Sequence, residues 1–243
     1  MIVAMLAWYD EPLELLDRCV GSVEPFVDKI LAVDGRYELT PGETINSPEE
    51  QYHVIEQAGG DKVEFRSLDR LWRGQVEKRT YMLTEGKALG ADWLAVVDSD
   101  WVYSGNPRQF REVLDAWLTS NVEQFEVWFR ELPAPPDVDL SQFHEWHQQY
   151  ADITCPIPLI FRAMADMKVV NNHWTYLATR NDGTVVGLWG GDAVATAGVK
   201  EMLPAEFMIE HSCLHRDQEH IKRNLDLCAA VAKVVEQTGK EPI

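Results

Sequence analysis

Two carboxylates one residue apart, Asp98 and Asp100, close the apolar run Trp93-Leu94-Ala95-Val96-Val97. Side chains at that spacing can share one hard cation such as Mg²⁺ or Mn²⁺, and such an ion can in turn carry phosphate oxygens. Asp-x-Asp is also a common solvated turn, so its setting decides between the two readings. Five consecutive apolar residues predict a strand buried on both faces, the kind found inside a parallel sheet. Ligands of open α/β sheets gather at the carboxyl ends of such strands, which is where this pair would lie.

Other residues of the same chemical kind fall at similar places. The apolar stretch Ile2 to Ala7 runs into Asp10 and Glu11, and Lys29 to Val33 runs into Asp34. Carboxylates there can accept hydrogen bonds from ribose hydroxyls and base N–H groups. His211 ends a late apolar segment, Phe207 to His211, and imidazole is the commonest nitrogen ligand of divalent metals. Asp192 follows Gly190-Gly191, whose freedom would let a carboxylate close over bound substrate; an ordinary turn aspartate is the competing reading. His173 divides between a structural hydrogen-bonding role and a functional one. His144 and His147 lie three apart but lack a third ligand, and read as surface residues.

The elements that must position these groups alternate. Strands are expected at Ile2–Ala7, Lys29–Val33, Val63–Phe65 and Trp93–Val97, separated by helices after Pro12, over Pro48–Ala58 and over Gly74–Leu89, with a loop over Tyr37–Ser47. That alternation implies a parallel sheet with helices on both faces. Beyond Asp100 the pattern predicts a helix over Pro107–Leu118 and a strand over Glu123–Leu132 with Phe125, Val127 and Phe129 in phase. Short strands follow at Ile157–Phe161, Lys168–Val170, Thr184–Trp189 and Phe207–His211, then a helix over His215–Val235 whose apolar positions recur at the helical period.

Composition excludes several classes. Among 243 residues, 46% hydrophobic and 26% charged content describes an ordinary globular protein, and no apolar run is long enough to span a membrane. The start lacks a basic region before its apolar stretch, so a cytoplasmic protein without a signal peptide is expected. A net charge of −18 opposes binding to bare nucleic acid and anionic membranes, although Arg66, Arg70, Arg73, Lys78 and Arg79 form a local basic cluster in sequence. Four scattered cysteines without CxxC spacing read as reduced thiols. Nine tryptophans, mostly core, tilt the balance towards a sugar or nucleotide ligand.

Taken together and in order, Tyr9-Asp10-Glu11, Val33-Asp34-Gly35, Arg79 on a helix and Val96-Val97-Asp98-Ser99-Asp100 resemble the GT-A fold of glycosyltransferase family 2. Pro158-Leu159-Ile160-Phe161-Arg162, Asn172-His173-Trp174 and Glu210-His211 with Lys222-Arg223-Asn224 extend the resemblance over most of the chain. It implies an α/β, Rossmann-like domain over 1–243 with a mostly parallel central sheet flanked by helices. Residues 1–105 would form the nucleotide-sugar half and 106–243 the acceptor half. It further implies a UDP- or GDP-type sugar donor, an unidentified acceptor and a Mn²⁺ or Mg²⁺ cofactor.

Carried over by residue, Asp34 would contact base or ribose, Tyr9 and Glu11 would line the base pocket, and Arg79 would sit near the diphosphate. Asp100 would be the main metal ligand, with Asp98 on the ribose or a metal-bound water and Ser99 beside the nucleotide. His211 would complete the metal shell, with His215 as its competitor. The family's usual acidic pair near the base is missing, since His173-Trp174 stands where a related group has His-Glu. The base is therefore Asp192 or His173, with Asp137 and Glu145 behind them. An inverting transfer is expected.

Four rival readings fit less well, one of them a sugar nucleotidyltransferase of related fold, whose glycine-rich signature near the first strand is absent. A haloacid-dehalogenase-like phosphatase fits Asp98-Ser99-Asp100-Trp101-Val102, but its nucleophile usually ends the first core strand. An EF-hand fails because Tyr103 replaces the loop glycine. A glycan-binding module has no use for acidic strand ends of nucleotide type.

Overall fold

The computed structural model describes residues 1–133, 154–170, 175–189 and 195–211, together with residues 222–223, 226–227, 229–230, 233–234 and 237. Three apolar runs form its centre: β1 (Ile2–Ala7), β2 (Lys29–Val33) and, later in the chain, Trp93–Asp98. Their residues are buried almost without interruption, as expected for strands covered on both faces. Each buried large apolar side chain contributes about 1.5–3 kcal/mol towards holding these strands inside.

Between them run α1 (Leu13–Val23), α2 (Glu49–Gly59), β3 (Val63–Arg66) and α3 (Gln75–Ala88), so Trp93–Asp98 is β4. Strand order β3-β2-β1-β4 is parallel throughout. The register aligns Arg66, Val33, Ala7 and Asp98 in one row across the four strands. Their carboxyl ends are therefore flush, and β1 is the point from which the chain winds to β2 on one side and reaches β4 on the other. Open α/β sheets bind ligands outside the carboxyl edge at such a reversal. α3 packs closely on β4 because Gly86 has no side chain: a Cβ there would come within 2.6 Å of Leu94 Cδ2.

The chain continues through β5 (Trp101–Ser104), α4 (Pro107–Ala116), β6 (Gln124–Glu131), β7 (Thr154–Arg162), β8 (Ala165–Val170) and β9 (Thr175–Thr179). It closes with β10 (Val185–Trp189), β11 (Thr196–Ala197), β12 (Lys200–Met202) and β13 (Met208–His211). The central sheet runs β3-β2-β1-β4-β7-β6-β13-β5, with β12 also paired to β6; β11-β10-β9-β8 form a second, four-stranded sheet. The fold is thus the α/β class expected, with a mixed, mostly parallel sheet flanked by helices.

The strands β5, β9, β11 and β12 have no counterpart among the expected ones. β5 follows β4 after only Ser99 and Asp100, yet lies four strands away from it in the sheet. Four strand spacings on a flat sheet would cover roughly 19 Å, whereas three Cα steps reach at most about 11 Å. The sheet must therefore curl back on itself. Tyr103 marks the closure, its hydroxyl donating to the Val96 carbonyl at 2.6 Å. No helix among the described residues is long and apolar enough to cross a membrane.

Candidate functional site

The curl brings the turn Ser99-Asp100 back against the last strand. β13 lies between β6, to which it is parallel, and β5, to which it is antiparallel. Its register pairs His211 with Glu131 on one side and with Trp101 on the other. Laterally paired residues project to the same face of a sheet, so His211 and Glu131 meet, and Asp100 stands one residue before His211's other partner. His211 Nδ1 lies 2.6 Å from Glu131 Oε2, and His211 Nε2 lies 3.2 Å from Asp100 Oδ2. All three side chains are largely buried, His211 at 13%, Glu131 at 1% and Asp100 at 5% exposure. The rings of Phe129 and Trp101 flank the imidazole at centroid distances of 5.3 and 6.4 Å.

The first carboxylate of the pair is engaged elsewhere. Arg79 Nη2 donates to Asp98 Oδ1 at 2.8 Å and Oδ2 at 2.9 Å, and Nη1 donates to the Tyr176 hydroxyl at 3.3 Å. Burial works against the guanidinium charge, but Asp98 and the phenols of Tyr176 and Tyr37 outweigh it and push the Arg79 pKa further up. Arg79 was expected beside a diphosphate; it is instead a buried cation turned towards Asp98. Each Asp98 oxygen keeps a further lone pair that could accept from a ribose hydroxyl or a metal-bound water. A nucleophilic Asp98, as the phosphatase reading needs, would have both oxygens engaged. Below the turn, the Cys19 thiol donates to the Asp98 carbonyl at 3.3 Å. Burial, then Asp100 and Asp98, raise its pKa, so it stays protonated.

On the β2 side, Asp34 is fully buried. Its carboxylate accepts from Ser47 N (2.7 Å), Ser47 Oγ (2.6 Å) and Tyr52 OH (2.5 Å). These bonds fasten the 36–47 loop to α2 and the end of β2. Asp34 was expected on a base or ribose; its carboxylate is a structural anchor for the loop that would frame the base. Gly35 has φ +119, and a Cβ there would fall 2.7 Å from Trp72 Nε1. Glycine lets Trp72 approach and donate to the Asp34 carbonyl at 2.9 Å.

On the β1 side, Tyr9 is buried, and its hydroxyl lies 3.2 Å from both the Thr44 carbonyl and Thr44 Oγ1. Asp10 adopts φ 49 and its N–H donates to Ser47 Oγ, while the Glu11 N–H donates to Gln51 Oε1. Arg223, on the C-terminal helical segment, reaches back to Asp10 Oδ2, donates to the Asp10 carbonyl at 2.7 Å and lies 5.8 Å from the Tyr9 ring centre. The basic segment noted at Lys222-Arg223 thus touches the strand end expected to line the base pocket.

Two residues of the site were not singled out from the sequence as site residues. Lys78 is 1% exposed and donates to the carbonyls of Trp8 (2.7 Å) and Gly35 (3.0 Å), tying the ends of β1 and β2 together. Burial pushes its pKa down to about 7, opposed by Asp34 and more weakly by Glu11 and Asp98. The charge of Arg79 adds to the effect of burial. Glu131 is the other, and its signal was present: in the alternation Phe125, Val127, Phe129, the next inward position is 131.

The sequence cluster of basic residues does not form a patch. Arg66 pairs with Glu85, Arg70 with Glu77, Arg79 with Asp98, and Lys78 is internal. Arg162 is likewise structural, donating to the carbonyls of Trp117, Leu118 and Val122 and lying 4.8 Å from the Trp93 ring centre. Trp8, Trp72, Trp93 and Trp101 are core. Asp192, His173, His215, His144, His147, Asp137 and Glu145 lie outside the described residues.

Asp100 and His211 offer one carboxylate and one imidazole nitrogen, a donor set that Mn²⁺ accepts and Mg²⁺ tolerates. Among the described residues no group of three or more His, Cys, Asp or Glu side chains is arranged to hold an ion by itself. Two such side chains would leave most of an ion's shell to phosphate oxygens and water.

No protein-family model matches the chain, and no curated protein matches it. Solved structures similar to it include a crystal structure of a mycobacterial protein, at 18% identity and TM-score 0.38, covering 54% of this chain and 41% of that one. Another is mannose-1-phosphate geranyltransferase from Thermus thermophilus, at 19% identity and TM-score 0.34, covering 56% of this chain and 42% of that one. The matched region spans about two fifths of each of these proteins.

Proposed function

We propose that the chain is a metal-dependent glycosyltransferase that takes a sugar from a UDP- or GDP-type donor and passes it, with inversion, to an acceptor. The observation that carries this reading is the meeting of Asp100 and His211 at the carboxyl edge of a curled α/β sheet. A bound Mn²⁺ or Mg²⁺ would neutralise charge developing on the leaving diphosphate. The chain's own residues do the rest. Asp100 and His211 would hold the ion, and Arg79 fixes Asp98. Asp34 and Lys78 brace the loops after β2 and β1, between which a nucleoside would lie, with Tyr9 and Glu11 at its border. An inverting transfer also needs a base on the face opposite the leaving group. The candidates are Asp192, which follows Gly190-Gly191, and His173, both outside the described residues.

Calorimetric titration of UDP-, GDP- and dTDP-sugars with and without Mn²⁺ tests the proposal. Mn²⁺-dependent binding of one of them is expected. Binding of none would overturn the transferase reading, and phosphate release from a simple phosphomonoester would replace it with a phosphatase.

A further inference from the structure

We propose that Glu131 is a positioning residue that sets the tautomer and orientation of His211, so that Nε2 is presented to the metal beside Asp100. The inference rests on the metal reading above and adds a residue to it. An ionised carboxylate only accepts hydrogen bonds, so its 2.6 Å contact makes His211 Nδ1 the donor. A ring with a single proton then has its lone pair on Nε2, on the Asp100 side; the 3.2 Å contact between Nε2 and Asp100 Oδ2 itself needs a shared proton, which a cation held by both atoms would displace.

The backbone holds the same arrangement. β6 and β13 pair Glu131 with His211 directly, and Leu132 N donates to the His211 carbonyl at 3.0 Å just beyond. Phe129 and Trp101 on either side of the ring oppose its rotation. A carboxylate on the far nitrogen of a ligating histidine fixes the ring and raises its basicity, and losing such a partner typically weakens metal binding about 10–100-fold. Glu131 sits at an inward strand position with a side chain 1% exposed. Its location is costly for a charge without a partner and well suited to one that directs a ligand.

Two measurements test this. Long-range ¹H–¹⁵N spectra of the metal-free protein, recorded where the His211 ring is neutral, should show the proton on Nδ1 in the wild type. In Glu131→Leu the proton should redistribute to Nε2. Mn²⁺ titration in the presence of UDP or GDP should give about 10–100-fold weaker binding for Glu131→Leu. Glu131→Gln keeps an acceptor oxygen at the same reach, and should recover the Nδ1–H tautomer and part of the affinity. A wild-type ring carrying its proton on Nε2, or variants that bind Mn²⁺ as tightly as the wild type, would overturn the role of Glu131 and leave the metal reading standing. A wild type that binds no Mn²⁺ with any nucleotide would overturn the metal reading and this role with it.

Discussion

Arg79 and Asp98 form a pair in which one guanidinium nitrogen contacts both carboxylate oxygens, at 2.8 and 2.9 Å, with the arginine side chain 7% exposed and the aspartate 24%. The two carboxylates of Asp98-Ser99-Asp100 therefore have separate partners. One is neutralised from beneath by α3; the other faces His211 from β13.

Replacing Arg79 by Met leaves Asp98 partly buried without its cation and should destabilise the protein by about 3 kcal/mol, the low end for breaking a buried pair because Asp98 retains some solvent. Arg79→Lys should recover only part of that, since a point charge cannot reach Asp98 and Tyr176 at once. Urea unfolding checks both; a loss below about 1 kcal/mol for Arg79→Met would show the pair to be marginal.

Lys78 makes stability depend on pH. Its folded pKa, about 7, lies below that of a lysine in the unfolded chain. Between these values the unfolded state binds the extra proton, so stability rises with pH from about 7 towards 10, by at most about 1.4 kcal/mol per pH unit. Below that window both states are protonated and the stabilisation is lost. Lys78→Met should flatten this part of the stability profile relative to wild type. An unchanged slope would place the titration elsewhere.

Asp34→Ala removes the acceptor for three donors and should cost about 3–4 kcal/mol, whereas Tyr52→Phe, which removes one of them, should cost about 1.5 kcal/mol. Hydrogen exchange in the 36–47 loop should accelerate in Asp34→Ala before global unfolding does. If the loop stays protected, Asp34 does not anchor it.

Asp100→Ala should abolish metal-dependent nucleotide binding while leaving the urea midpoint near that of wild type. Asp192→Ala should spare binding and lose turnover. Calorimetry and a donor-hydrolysis assay separate the two. Metal-dependent binding that survives Asp100→Ala would remove the carboxylate from the metal's shell, and full activity in Asp192→Ala would exclude it as the base.

The first hundred residues were readable because local pattern and global position agree there: uninterrupted apolar runs mark central parallel strands, and glycines mark helix ends. Asp98, Asp100 and His211 were readable as candidate chemistry because Asp98 and His211 end strands and Asp100 lies in the turn just beyond β4. What pairs with what was not. Arg79 and Asp98 lie on adjacent elements, but the guanidinium's direction depends on burial and on Tyr176 from the second sheet. Lys78 and Glu131 are charged residues at buried positions, and a charge usually signals solvent. Glu131 kept the inward phase of β6 and could have been found by it. Lys78 lies one residue before Arg79 on a weakly amphipathic helix and left little signal. β5 was hidden because a turn of two residues normally joins neighbours, whereas here it joins strands four places apart.

β13 is synthesised after both strands that flank it, yet it occupies the place between them. A chain emerging from the ribosome can pair β1, β2, β3 and β4 early, but it holds β5 and β6 with open edges until residues 208–211 arrive. Strand insertion between two existing edges closes long loops late and is a slow class of folding event. Until it happens the open edges are templates for pairing with other chains. Asp100, Glu131 and His211 come together in that same step. A molecule that has stalled before it has not brought these three side chains together, so their meeting during refolding would report completion of the sheet.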